Sequence, residues 1–410
     1  MDVLNILKRE YPNYYECEGV YIKDKKFYTF SNNTQWGNID NVRQLCHDGN
    51  NNYFVLDCDG KVYSGINKSN LIANTPKDVI WISSASVYQK GLFMVTKNNE
   101  IWCYGTPFWL GSFPLGYANS NLTTPTKALD LPDNELPLVT IAGDCGVFCI
   151  SKSGNVYICG HENSNVGTQY GAAYKIYTNN TGTNKYGWNK VPGLPPIVDI
   201  APDVSYNMNY AYALDIYGQL WAIMLNKPVQ KITSIPETVA RISLWTNVGN
   251  NSNTNPIAIT HSGNVYTATY NSVAFTKQSI SVKISPLNSV SLNSNSTTVG
   301  KTYGLVDTNG KIYSYTNGTS LSRMGTVTTS DIDPIVYDEI VFDDIDEVFV
   351  STSASVTRTF YLKTTFSTQG NVVNYESYYG TRYRYLLYIL LYLFYQLLNS
   401  QYHMVLITLY

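Results

Sequence analysis

The chain has 410 residues, and its 28 Lys and Arg against 30 Asp and Glu leave a formal net charge of -2. That balance excludes a protein held on nucleic acid by bulk positive charge. With 44% hydrophobic residues and 36 Tyr, the composition also excludes a disordered chain, which is typically charged and poor in aromatics.

Residues 1–19 read as an N-terminal extension. They hold no apolar core flanked by a cleavage site, so no cleavable signal peptide is expected. The 7 cysteines, at positions 17, 46, 58, 103, 145, 149 and 159, are odd in number and stop before the middle of the chain. Free thiols in a reducing compartment, cytoplasmic or virion-associated, are the expectation. From residue 20 onward one pattern recurs: a short apolar strand, a tight turn containing Gly or Asn, and a second strand opening with an aliphatic and an aromatic residue. The turn-plus-strand pieces are Asp59-Gly60-Lys61-Val62-Tyr63, Asn98-Asn99-Glu100-Ile101-Trp102, Ser153-Gly154-Asn155-Val156-Tyr157, Tyr217-Gly218-Gln219-Leu220-Trp221, Ser262-Gly263-Asn264-Val265-Tyr266 and Asn309-Gly310-Lys311-Ile312-Tyr313. Two degenerate copies flank them, Asp24-Lys25-Lys26-Phe27-Tyr28 and Gln369-Gly370-Asn371-Val372-Val373. Each piece predicts a β-hairpin, because Gly or Asn supplies the positive φ of a tight reversal and the flanks are β-branched or aromatic.

Upstream of each hairpin a second strand is predicted, ending in a small residue: from Val42, Val79, Val139, Val198, Val239, Val282 and Val348. A lone hairpin cannot bury its apolar face, so the units must stack and share a core. Irregular spacing argues against a solenoid and for propeller blades, whose inserted residues leave through the faces. The piece at residues 20–30, with no upstream strand of its own, is expected to pair with the last unit around 347–375 and remove an exposed sheet edge.

The stretch from Ile141 through Gly160, and Trp102-Cys103-Tyr104-Gly105 with the later Leu110-Gly111, resemble the repeat of the regulator of chromosome condensation (RCC1) family. The resemblance implies an all-β, seven-bladed β-propeller over residues 20–376. Its founding member further implies guanine-nucleotide exchange on a small GTPase. The copies at Tyr266-Thr267-Ala268-Thr269 and Tyr313-Ser314-Tyr315-Thr316 depart from the family by lacking the Gly after the aromatic.

Residues 377–410 form an apolar, Tyr- and Leu-rich tail outside the propeller, and Tyr385 to Tyr410 contains no Asp, Glu, Lys or Arg. Three readings stay open: a membrane anchor through residues 385–410, a buried or interface helix, and the product of a shifted reading frame.

Chemistry-bearing clusters are sparse. Cys145, Cys149, Cys159 and His161 have loose zinc spacing, but Cys149 and Cys159 fall at strand positions that suit a small buried hydrophobe, so no metal is assigned. None of His47, His161 and His261 repeats a nucleophile–base spacing, and no catalytic residue or cofactor is nominated. The carboxylates from Asp331 to Glu347 read as a solvated connection. Two long insertions carry aromatics: Thr106 to Pro137 with Phe108, Trp109, Phe113 and Tyr117, and His161 to Pro196 with Tyr170, Tyr174, Tyr177, Tyr186 and Trp188. These aromatics are either partner anchors or lids on the core. The candidate anchors are Phe108, Trp109, Tyr170, Tyr174, Tyr186 and Trp188. The expected function is a non-enzymatic scaffold that binds a macromolecular, protein partner through face loops, with nucleotide exchange or glycan recognition as alternatives; the composition points to a viral or phage-encoded protein.

Overall fold

The computed structural model describes residues 14–15, 20–29, 32–47, 53–85, 91–106, 113–117, 121–142, 146–160, 187–202, 210–224, 227–245, 255–269, 272–285, 302–316, 320–328, 349–353 and 356–360. They form an all-β structure whose helical content is two single 3-10 turns, Lys68–Asn70 and Pro132–Asn134. Residues 3–343 make one compact unit, and 344–410 with residues 1–2 another. In the smaller unit Phe349–Ser353 pairs antiparallel with Val356–Phe360, at the place where the last upstream strand is expected.

The larger unit contains six β-propeller blades, each an antiparallel sheet with strands in chain order. Blade 1 has Val42–His47, Tyr53–Asp57 and Val62–Tyr63, its fourth strand reduced to a bridge from Tyr63 to Leu71. Blade 2 has Val79–Ala85, Gly91–Thr96, Ile101–Gly105 and Leu122–Lys127, and blade 3 has Pro137–Ala142, Gly146–Ser151, Val156–Gly160 and Asn189–Lys190. Blade 4 follows with Ile197–Pro202, Tyr210–Asp215, Leu220–Met224 and Gln230–Lys231, and blade 5 with Val239–Trp245, Asn255–Thr260, Val265–Thr267 and Thr276–Lys277. Blade 6 begins where Ile284 bridges Asp307 and continues with Thr302–Val306, Lys311–Thr316 and Ser320–Thr328.

The first strand of blades 1 to 5 carries the same irregularity, a bulge after its first residue, so that Val42 faces Asp57 while Gln44 faces Leu56. The shift recurs between Val79 and Trp81, Pro137 and Val139, Ile197 and Asp199, and Val239 and Arg241. An extra residue there breaks period-two alternation and increases twist. It also offsets the sequence reading: the blade 3 strand begins at Pro137, two residues before Val139, and the blade 4 strand at Ile197. The predicted small residue sits opposite an aromatic in three blades, Cys46 facing Phe54, Ser83 facing Phe93 and Ala201 facing Tyr212. Its role there is to leave room for that ring across the strand pair.

The cores lie between blades. Phe54, Leu56 and Val62 of blade 1 pack with Val79, Ile82, Leu92 and Met94 of blade 2. Phe93, Ile101 and Cys103 on the other side of blade 2 pack with Val147, Cys149, Tyr157 and Cys159 of blade 3. Second strands are therefore buried on both faces, and Gly91–Thr96 is buried throughout. The first strands of successive blades also pack together, joined by polar latches. The Gln44 side chain accepts from Ile82 N at 3.0 Å and donates to Ile82 O at 2.9 Å, extending the ladder into the next blade. Trp81 Nε1 donates to Thr140 O at 2.8 Å, and Arg241 lies 3.7 Å from the Asp199 carboxylate.

Several hairpin turns also rest on the start of the following blade. Gly154 O accepts from Ile197 N, and Gly218 O from Val239 N, both at 2.8 Å. The N-terminal sheet makes the same joint, Lys25 O accepting from Val42 N at 2.9 Å. In that sheet Tyr14–Tyr15 pairs with Val20–Lys23, and Val20–Lys23 with Lys26–Thr29. The segment expected to lack an upstream strand thus has one, two residues long. Its Val20, Ile22 and Phe27 pack on Ile39, Val42, Leu45 and Val55.

Gly263 shows why the turn residue is glycine. Its φ is +80°, and a Cβ there would lie 2.3 Å from Ile284 O of blade 6. Gly116 has a similar φ of +81° but only an ordinary 3.5 Å approach to Leu129. Gly116→Ala is expected to cost about 1–2 kcal/mol from backbone strain alone. Gly263→Ala should cost clearly more, because the blade joint must also open; urea unfolding of the two variants checks this ordering.

Candidate partner-binding faces

Antiparallel strands in chain order divide their connections between two faces. Hairpin turns and blade-to-blade connections leave from one, the turn face. Connections from first to second and from third to fourth strands leave from the other, the loop face.

The turn face is fastened by a repeated carboxylate lock. In blade 1, Asp57 Oδ1 accepts from the backbone N–H of Asp59 and Lys61 at 2.9 and 2.8 Å, and Oδ2 accepts from Tyr63 OH at 3.1 Å. Blade 4 repeats it, Asp215 accepting from Tyr217 N, Gln219 N and Trp221 Nε1, each at 2.8 Å. Blade 6 does so through Asp307, Asn309, Lys311 and Tyr313. Burial outweighs the bonds at Asp215 and raises its pKa. In blades 2, 3 and 5 a hydroxyl replaces the Asp, at Thr96, Ser151 and Thr260, each accepting from the N–H four residues on. The carboxylate then comes from a Glu: Glu100 accepts from Trp102 Nε1 at 3.0 Å, Glu135 from Asn155 and Ser153, and Glu237 from Ser262, Asn264, Thr260 and Tyr266. Burial opposes ionisation of Glu237, but the bonds from Ser262, Tyr266, Asn264 and Thr260 together prevail and hold its pKa below the ordinary value. The spacing Asp-x-x-Gly at Asp57, Asp215 and Asp307 is a signal that the sequence reading missed.

On the loop face, Trp188 is 2% exposed and donates Nε1–H to Leu129 O at 3.0 Å. It packs with Phe113 and Leu131 in the core between blades 2 and 3. As a candidate anchor it is corrected: a ring so enclosed offers a partner no surface, and Trp188 takes the lid role. Phe113 does the same, edge-on to Phe93 at 5.3 Å between centroids, whereas Tyr117 is 55% exposed. Phe108, Trp109, Tyr170, Tyr174, Tyr177 and Tyr186 lie outside the described residues, as do Cys145, His161, the acidic run from Asp331 to Glu347 and the whole tail from 377. Between blades 1 and 2 the loop face opens into a cavity of about 350 Å³, bordered by Tyr53, Ser64, Tyr104, Thr106, Asn121 and Thr123.

Cys103, Cys149 and Cys159 are buried in strands, and burial holds all three thiols protonated, Cys159 at about 12. They act as small apolar residues in the core. Among the described residues no cluster could hold a metal ion, and no helix is long and apolar enough to cross a membrane.

No family model and no curated protein matches the chain. Among solved structures it is similar to Prp20p from Saccharomyces cerevisiae, with a TM-score of 0.49 and 13% identity over 70% of this chain and 77% of that one. The same yeast protein bound to Kap60 gives 0.49 and 14%, over 73% and 75%. Human WBSCR16 gives 0.44 and 11%, over 63% and 66%. At such scores the propeller assignment stands on the strand pairing and blade joints themselves.

Two measurements probe the locks. A carboxyl with a depressed folded pKa stabilises fully above its unfolded value and ceases to as pH falls through the folded one. Glu237 therefore contributes fully above its ordinary 4.5, and Glu237→Gln should flatten the fall of melting temperature with acid below that pH; an unchanged slope would contradict the lock. Tyr157, the blade 3 aromatic, is fully buried, and its hydroxyl has no hydrogen-bond partner among the described residues. Tyr157→Phe should be neutral or stabilising, whereas Tyr266→Phe, losing a 2.7 Å bond to Glu237, should cost about 1.5–3 kcal/mol in denaturant unfolding.

Proposed function

We propose that the chain is a non-enzymatic scaffold that presents loop-face segments to a protein partner. The observation that carries this reading is the contrast between faces: short turns fastened by carboxylates, and at Gly154, Gly218 and Gly263 also by the next blade, on one, and insertions of unequal length on the other. A rigid scaffold with variable connections is the usual arrangement for recognition. Phe108, Trp109, Tyr170, Tyr174 and Tyr186 stand in two long loop-face insertions and are its proposed anchors, since Tyr and Trp give large contact area at small entropic cost. The ring is proposed to have seven blades, the N-terminal sheet supplying the seventh; the joint from Lys25 to Val42 supports this by repeating the joints from Gly154 and Gly218.

Replacing residues 161–186 with a short Gly-Ser linker, and separately Trp109→Ala, should abolish co-purification of the partner without lowering the melting temperature. Glu237→Gln on the turn face should leave it intact. Retention of the partner by both loop variants would overturn the reading, as would accelerated nucleotide release from a small GTPase, which would make the protein an exchange factor.

A further inference from the structure

We propose that the loop-face cavity between blades 1 and 2 is a binding site for a neutral saccharide, independent of the protein-partner reading. At about 350 Å³ it lies at the small end of small-molecule sites, which suits a sugar unit. None of its described lining residues is charged. A charged ligand would therefore surrender hydration with no counter-charge to replace it. A hydrocarbon would strand the amide protons of Asn121 and the hydroxyl of Thr123. A saccharide combines C–H faces with hydroxyl edges and satisfies both halves of the lining.

The three rings that border the cavity, Tyr53, Phe54 and Tyr104, are held in place, Phe54 as a buried member of the core. Tyr53 meets Trp36 edge-on, with centroids 4.9 Å apart and planes at 85°, and Tyr104 packs against the core shared by blades 1 and 2. Rings already ordered spare the ligand that entropic cost. The polar groups are complementary across the cavity. Asn121 Oδ1 accepts from Thr106 Oγ1 at 3.3 Å, which leaves the amide protons of Asn121 to donate. On the blade 1 side the Ser64 hydroxyl donates to Asn70 O at 3.3 Å, which leaves its oxygen to accept. A ligand hydroxyl can serve as acceptor at the first and donor at the second.

The test is calorimetric titration of the full chain with maltose, cellobiose, lactose and diacetylchitobiose, with glucuronate as the charged control and indole as the apolar one. Saturable binding of at least one neutral disaccharide is expected. Asn121→Ala, at an exposed position, should weaken it about tenfold, the loss of roughly one good hydrogen bond, with the melting temperature unchanged. Tyr104→Leu should abolish binding, whereas Tyr104→Phe, which keeps the ring, should retain most of it. The proposal is overturned if no neutral disaccharide saturates, if binding is indifferent to Asn121→Ala and Tyr104→Leu, or if either control binds more tightly.

Discussion

The structure depends on one recurring joint, a hairpin turn resting on the first residue of the next blade. At Gly154 and Gly218 the joint is a hydrogen bond from the following strand, and at Gly263 it is an approach too close for a side chain. The turn can serve as a bearing surface only if its own shape is fixed. The carboxylate or hydroxyl at its base fixes it, gathering the backbone N–H groups that a tight reversal leaves unpaired. Apolar packing between blades supplies the larger share of the stabilisation, but apolar surfaces slide. The joints and the latches at Gln44, Trp81 and Asp199 set the angle at which neighbouring sheets meet.

This construction separates two demands on the chain. The turn face spends its polar groups on itself: Asp57, Glu135, Asp215, Glu237 and Asp307 all accept bonds from neighbouring turn residues. The loop face has no such obligation and can carry connections of any length. An insertion still needs a way back into the sheet, and Phe113 and Trp188 provide it by burying a ring ahead of the fourth strand, Trp188 immediately before it. The aromatics of an insertion are thus of two kinds, those that return the chain to the core and those remaining to meet something else.

Much of the fold was legible because the hairpin signal is local. Gly60, Gly154, Gly218, Gly263 and Gly310 all adopt positive φ, as the dipeptides around them imply. First strands were harder to place, since the bulge at Leu138 or Val198 shifts the pattern where register must be read. Second strands such as Gly91–Thr96 show no alternation because both of their faces are covered. The site was less legible than the fold. Trp188 carries the same aromatic signature as a surface anchor, and only its depth distinguishes it. Tyr53, Ser64, Tyr104 and Asn121 come together across two blades, a proximity no single repeat encodes.

The two forms of the carboxylate lock bear on how such a ring can be reshuffled. Where Asp57, Asp215 or Asp307 closes the turn, the fastening travels with the hairpin, and the blade is a self-sufficient cassette for duplication or exchange. Where Glu135 or Glu237 does so, the fastening belongs to the segment preceding the first strand. A crossover placed between that segment and its blade would deliver a hairpin without its clasp. The unit of inheritance in blades 3 and 5 therefore begins before the sheet does.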